Sequence, residues 1–447
     1  MLTIAMTFGA EGARDFLVVH PFDSFSRDGW GKARHSALPP RLEGSPAIGV
    51  VGPSCSFLKT RWSLRSLENP ARLLLHQGFE QFRQHLRIVA RAPWLCPHET
   101  DCLGQDQQDP SKCHTLLLNR DMRTLWGLQY LRAVAALSVL LFHVVLGSGK
   151  HEALGTGGVD IFFVISGFLM FELAAREPSP GEFALARFKR IVPTYWLVTV
   201  LVALIQMVGG TEHSSFDLTH LFKSLTFLPD LDVVRGKVYP TLIVGWTLNY
   251  EMFFYAVVTG LLLVKGHLRL LILSFLFGAL LLIGWALRGQ SLALDFYSDS
   301  IIIEFVFGAF LSELWRAKKL PELGWAWMVS GAFLLILPKP SNLFRFIEYG
   351  IPAFFILLGL LAVEQRRPIV RVFLLKLLGD ASYSIYLWHL FVIAAVFRQF
   401  GTTPVTFALA ITGGVAIGIT SYWLIEKPLD VLTRTLTARL RGRFEKG

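Results

Sequence analysis

The stretch LRAVAALSVLLFH, residues 131–143, is apolar enough to sit inside a bilayer, yet it holds Arg132 at one end and His143 at the other. An α-helix turns about 100° per residue, so the eleven steps between them overshoot three full turns by only about 20°. The two side chains therefore share one stripe, about 16.5 Å apart along the axis at about 1.5 Å per residue. Ionisable groups in a membrane helix face the bundle interior or a wet cavity. Two readings are open. Each group bonds a neighbouring helix, or the stripe serves a ligand that lies along it.

The rest of the chain supports a membrane setting. Of 447 residues, 53% are hydrophobic and 17% charged, against roughly a quarter charged in soluble domains. Apolar runs near the length needed to cross a bilayer as helix recur after residue 122. They fall at about 126–146, 157–175, 191–210, 243–264, 268–288, 300–316, 323–338, 346–364, 382–398 and 404–425. The fold class expected is all-α, a polytopic transmembrane helix bundle of about ten spans embedded in the lipid bilayer.

The net charge of +10 does not call for nucleic acid, since no nucleic-acid-binding motif accompanies it and basic residues gather in cytoplasmic loops. With the first amino end taken as cytoplasmic, inside segments carry 21 Lys and Arg and outside segments carry eight. The bias places both termini in the cytoplasm of an inner-membrane protein. The longest outside loop, about residues 211–242, is polar and is a candidate cover for a site.

Residues 1–121 differ from the rest of the chain. They lack sustained periodicity, apart from amphipathic spacing at 71–92, and the first residues make no signal peptide. They are expected to be a poorly ordered extension or a mis-called start, with Met122 as a natural beginning. Residues 122–430 form the membrane domain and 431–447 a basic cytoplasmic tail. All four cysteines, Cys55, Cys96, Cys102 and Cys113, precede residue 122, and their spacing fits no common zinc pattern. No metal site is expected.

Several polar residues in the later spans carry chemistry. Asp160, in GGVDIFFVISGFLM, lies near the outer end of the second span and close in depth to His143. A carboxylate bonded to one ring nitrogen would fix the histidine tautomer. Ser166 and Gly167 are small residues at mid-membrane, suited to close helix packing. In ARFKRIVPTYW, Arg187, Lys189 and Arg190 are either ordinary positive-inside residues or a patch for the phosphates of a cytoplasmic ligand. GWTLNYEMFFYAV places Trp246 at a span start and Asn249 and Glu251 within it. Glu251 is a site candidate by its depth, or internal glue for Arg132. Glu304 and Glu313 are weaker candidates, and His389 in SYSIYLWHLFV reads as packing.

LRAVAALSVLLFH, GGVDIFFVISGF, RFKRIVPTYW, GWTLNYEMFFY, LGDASYSIYLWH and the closing IEKPL occur in the order seen in the acyltransferase 3 family, which the chain resembles over about residues 122–430. These are integral-membrane O-acyltransferases acting on extracytoplasmic polysaccharides, and GWTLNYEMFFY is similar to the ExoZ-type exopolysaccharide acetyltransferases among them. The resemblance implies an Arg-x10-His element at Arg132 and His143, a Ser-Gly-Phe element at Ser166, Gly167 and Phe168, and a cytoplasmic R-x-x-R at Arg187 and Arg190. Many members carry two adjacent acidic residues in the fourth-span motif. Here Tyr250 precedes Glu251, leaving one carboxylate.

The activity so implied moves an acyl group, acetyl foremost, from acyl-CoA to a sugar hydroxyl of a polysaccharide or lipid-linked oligosaccharide. No bound cofactor is expected, because acyl-CoA is the donor substrate. His143 is the expected base or acyl carrier, and Arg132, Asp160 and Glu251 are the other expected catalytic residues. Arg187, Arg190 and Arg132 are the expected acyl-CoA contacts. The competing class is a transporter of a small molecule or lipid-linked sugar, although the inverted repeat common in carriers is not evident.

Overall fold

All ten apolar segments are helical, and most of the helices begin or end within a few residues of the expected bounds. The computed structural model describes residues 125–149, 155–209, 216–337, 344–433 and 435. The extension 1–121, Met122, the cysteines and most of the basic tail lie outside these residues.

The helices are α1 (Trp126–Gly147), α2 (Gly158–Ala174), α3 (Pro180–Gly209), α4 (Leu218–Leu225), α5 (Trp246–Leu261), α6 (Arg269–Ala286) and α7 (Leu292–Tyr297). They continue with α8 (Ile303–Arg316), α9 (Gly324–Ile336), α10 (Ile351–Arg366), α11 (Phe373–Asp380), α12 (Ser382–Phe400) and α13 (Pro404–Ser421). Five helical segments are long and apolar enough to cross a membrane, and six if the pair α11 and α12, bent by 72°, is one broken span. The others are short. α2 has 17 residues, α5 16, α8 14 and α9 13, below the roughly 20 that a bilayer crossing takes. The outer surface is apolar, with Leu263, Phe275, Trp285 and Ile336 all well exposed. Water would disfavour such a surface, whereas lipid accepts it. The protein is a multi-pass, mostly helical membrane protein.

Helix α1 is central. It packs against α2, α10, α11, α12 and α13, so its polar stripe is enclosed on several sides. α8 runs along α2, α9 along α10, and α12 along α13. Small residues set these distances. A Cβ placed on Gly167 would lie 2.2 Å from the Phe305 carbonyl oxygen, and one on Gly308 2.0 Å from that of Val164. Backbones approach this closely only where side chains are absent.

α3 begins well before the expected 191. Ser179 Oγ accepts the Glu182 N–H at 3.3 Å, Pro180 suits the first helical position, and the helix then runs through Pro193. The basic cluster at 187–190 therefore lies inside a helix rather than in a loop before one. Arg269 caps two helices at once. Its Nη1 donates to Ala174 O at 2.7 Å and its Nε to Leu261 O and Val264 O at 3.2 and 3.1 Å, meeting the C-terminal carbonyls that a helix leaves free.

The loop expected to cover a site folds as α4 and a two-residue hairpin, Leu231–Asp232 with Lys237–Val238. It reaches deep. Tyr195 Oη donates to Ser224 O at 3.1 Å and Trp196 Nε1 to Leu225 O at 2.8 Å. Tyr195 lies fourteen residues before the end of α3, about 21 Å along the axis, so the loop packs against the side of α3 rather than over its tip. At its surface Asp230 accepts from Lys223 Nζ at 2.8 Å and lies 2.9 Å from His220 Nδ1. Partial burial pulls that carboxyl upward, but these two hydrogen bonds and charges outweigh it and hold Asp230 below the usual carboxylate range.

Candidate active site

Eighteen residues from five helices converge on one cavity. Arg132 enters from α1, Ser166 from α2, Arg187 and Arg190 from α3, Glu251 and Tyr255 from α5, and Ser382, Tyr383 and Tyr386 from α12. Phe162, Phe163, Leu169, Met170 and Leu248 supply apolar wall. Three arginines thus face one glutamate across the lining.

Each arginine is held differently. Arg132 Nη2 donates to Ser382 Oγ at 3.1 Å. Arg190 makes a close ion pair with buried Glu426, whose other oxygen accepts from Ser384 Oγ at 2.6 Å, and its guanidinium stands 5.8 Å from the centre of the Tyr383 ring. Arg187 Nε is buried without a hydrogen-bond partner among the described residues. A buried unpaired N–H is costly unless a ligand answers it, and a guanidinium fork suits phosphate oxygens. Replacing Arg132 by Lys keeps the charge but loses the fork, and the turnover of the site should drop about tenfold, the worth of one charge-assisted hydrogen bond. Steady-state rates at matched membrane abundance check this.

Glu251 does not pair with Arg132. Its Oε1 accepts from Ser166 Oγ at 3.2 Å and from Tyr255 Oη in a closer bond. Of the two small residues at mid-membrane, only Gly167 serves close packing. Ser166 lines the cavity and bonds Glu251, while Gly167 permits the contact of α2 with α8. Phe168 is buried against Trp315, ring centres 6.4 Å apart. Trp246 packs edge-on to Tyr250 at 6.0 Å, and Asn249 is buried with its Oδ1 unpaired among the described residues.

Asp160 is not beside His143 as a hydrogen-bond partner. Wholly buried, it accepts from Arg345 Nη2 at 2.8 Å. Gly158 is the α2 residue pressed on α1, its Cβ position 2.7 Å from Ala135 O. Asp160 is two residues further, about 200° around the helix, and so points away from α1.

His143 is half-buried and absent from the cavity lining. Its neighbour is His389, with ring centres 4.8 Å apart and His389 Nε2 3.1 Å from His143 Nδ1. The cavity wall leads towards this pair. Tyr386 lines the cavity, and its ring centre is 5.9 Å from that of His389. Phe162 stands edge-on to Tyr386 at 6.3 Å.

Sequence reasoning passed over Glu426 and Ser382 and read His389 as packing. Glu426 sits in the IEKPL stretch, and a carboxylate at the end of an apolar run facing a basic cluster elsewhere was a usable signal. Among the described residues no group of His, Asp and Glu is placed to hold a metal ion.

The acyltransferase 3 family, described as an acyltransferase domain, matches the chain over residues 125–426. The exopolysaccharide production protein ExoZ of Rhizobium meliloti is 37% identical over 317 residues, covering 68% of this chain and 99% of that protein. A membrane-bound transacylase, provisionally so named, of Komagataeibacter xylinus is 28% identical over 340 residues, 70% of this chain and 85% of its relative. A Staphylococcus aureus protein provisionally named an O-acetyltransferase is 24% identical over 356 residues, 69% of this chain and 58% of its relative. No solved structure matches the chain.

Proposed function

Because the chain belongs to the acyltransferase 3 family and is thus a membrane O-acyltransferase, we propose that its donor is acyl-CoA and its acceptor a sugar hydroxyl of a cell-surface or exopolysaccharide, free or lipid-linked. Acetyl is the acyl group that the names of its relatives favour. The observation that carries this reading is the convergence of Arg132, Arg187 and Arg190 on one cavity, with Glu251 the only carboxylate in its lining. Arg190 is already paired with Glu426, and Arg187 has a buried N–H with no partner among the described residues. A polyanionic donor would supply the missing acceptors.

In this reading the chain lies in the inner membrane with both termini, Arg187 and Arg190 on the cytoplasmic side, where coenzyme A is found; the excess of Lys and Arg in the inside segments supports it. The donor enters from that side and its thioester extends past Phe162 and Tyr386 towards His143. His143 then takes the proton from the sugar hydroxyl. The oxygen forms a bond to the thioester carbonyl carbon, the carbon–sulfur bond breaks, and the thiolate of coenzyme A leaves and receives the proton from His143. Asp160 takes no direct part here. Its ion pair with Arg345 supports the helix start beside the site, and Glu251 holds Ser166 and Tyr255 at the cavity wall.

The donor assignment is tested by kinetics with labelled acetyl-CoA in inverted vesicles. Arg187→Ala should raise the KM for acetyl-CoA about tenfold or more while changing kcat less, since a charge-assisted hydrogen bond contributes about 1.5–3 kcal/mol. An unchanged KM would remove Arg187 from the donor site.

A further inference from the structure

His389 is fully buried in α12, and the transfer steps above do not use it. Its contacts with His143 fix more than a packing distance. His389 Nδ1 lies 2.7 Å from Tyr386 O, and His143 Nδ1 lies 2.9 Å from Val139 O. A carbonyl oxygen only accepts, so in each ring the proton sits on Nδ1. In a neutral His389, Nε2 then carries a lone pair and can only accept. The group facing it at 3.1 Å is His143 Nδ1, whose proton is shared between that lone pair and Val139 O. The same assignment leaves the lone pair of His143 on Nε2.

We propose that His389 is a positioning residue for the acyl-transfer reaction, holding His143 as the Nδ1–H tautomer so that Nε2 is the proton-accepting atom. The proposal rests on His143 acting as the base. Val139 O alone is a weak anchor, because a helix carbonyl already accepts the backbone N–H four residues on. The second acceptor comes from α12, 246 residues away in the chain, and orients the ring relative to the helix that also carries Ser382, Tyr383 and Tyr386. When Nε2 takes the hydroxyl proton, His143 becomes an imidazolium, and a neutral His389 is then a better hydrogen-bond acceptor for it. A carboxylate in this place would do the same work but would bury a charge whenever the site is at rest.

The test compares acetyl transfer from labelled acetyl-CoA by membrane vesicles holding the native chain, His389→Leu, His389→Gln, His143→Ala or the double variant His143→Ala with His389→Leu, each per amount of folded protein. His389→Leu should lower kcat about 100-fold, within the range general-base help provides, with the donor KM changed less than about twofold. His389→Gln offers a side-chain oxygen that can accept from His143 Nδ1 and should regain about tenfold or more. The double variant should be no slower than His143→Ala, because His389 acts through His143. If the Leu variant does not reach the membrane, His389→Met, apolar and of similar volume, takes its place. Native kcat in the Leu or Met variant, Gln no better than Leu, or a double variant slower than His143→Ala would each overturn the proposal. A native rate in His143→Ala is a different failure, because it removes the base itself.

Discussion

Replacing His143 by alanine is expected to slow acyl transfer by about 10²–10⁴-fold, the span of general-base assistance, with the donor KM little changed. The KM expectation comes from geometry. His143 is three turns along α1 from Arg132 and does not line the cavity that holds the arginines, so the proposed donor site and the proposed base are spatially separate. Rates with labelled acetyl-CoA check both parameters. The same variant distinguishes proton removal from covalent carriage of the acyl group. With acceptor omitted and the reaction quenched, the native protein should retain no label. Label that stays on the native chain and disappears in His143→Ala would mean that the imidazole carries the acyl group.

Gly167→Ala is expected to impair folding rather than chemistry. Its new Cβ would stand 2.2 Å from Phe305 O and 3.0 Å from Gly308 Cα. Both obstacles are backbone, so α2 and α8 must separate to admit one methyl group. Overpacking of this kind costs about 1–3 kcal/mol, or roughly 5–150-fold in the folded to unfolded ratio. Gly308→Ala should behave alike, since its Cβ meets Val164 O at 2.0 Å and Phe168 N at 2.5 Å. Gly260→Ala is the control, with nothing within 4 Å of the added carbon. Thermal stability in detergent, monitored by size-exclusion chromatography, should fall for the first two and hold for the third.

Helix positions were legible in the sequence, because an apolar run near the length of a bilayer crossing is readable from composition alone. The stripe joining Arg132 and His143 was legible too, because periodicity within one helix is a local property. Pairings between helices were not. Asp160 and His143 are close in depth, but depth leaves the rotation of each helix open, and the rotation of α2 is fixed by Gly158 against α1. Arg345, 185 residues from Asp160, takes the carboxylate instead. His389 reads as packing because Trp388 and Leu390 flank it, and only the approach of α12 to α1 shows its ring against His143. Glu426 escapes notice for the same reason, its partner Arg190 being 236 residues distant. The early start of α3 is different. Ser179 and Pro180 are local signals for a helix start, but the apolar run begins later and draws the boundary with it.

The proposed reaction moves an acyl group from a cytoplasmic coenzyme A thioester onto a carbohydrate hydroxyl. The most direct measurement gives acetyl-labelled acetyl-CoA to the cytoplasmic face of inverted vesicles that contain the protein and cell-surface carbohydrate acceptor. Label in ester linkage on the carbohydrate, released by mild base and absent with His143→Ala, is the predicted result. Label or substrate that crosses the membrane with no ester formed would mark a carrier and contradict the claim.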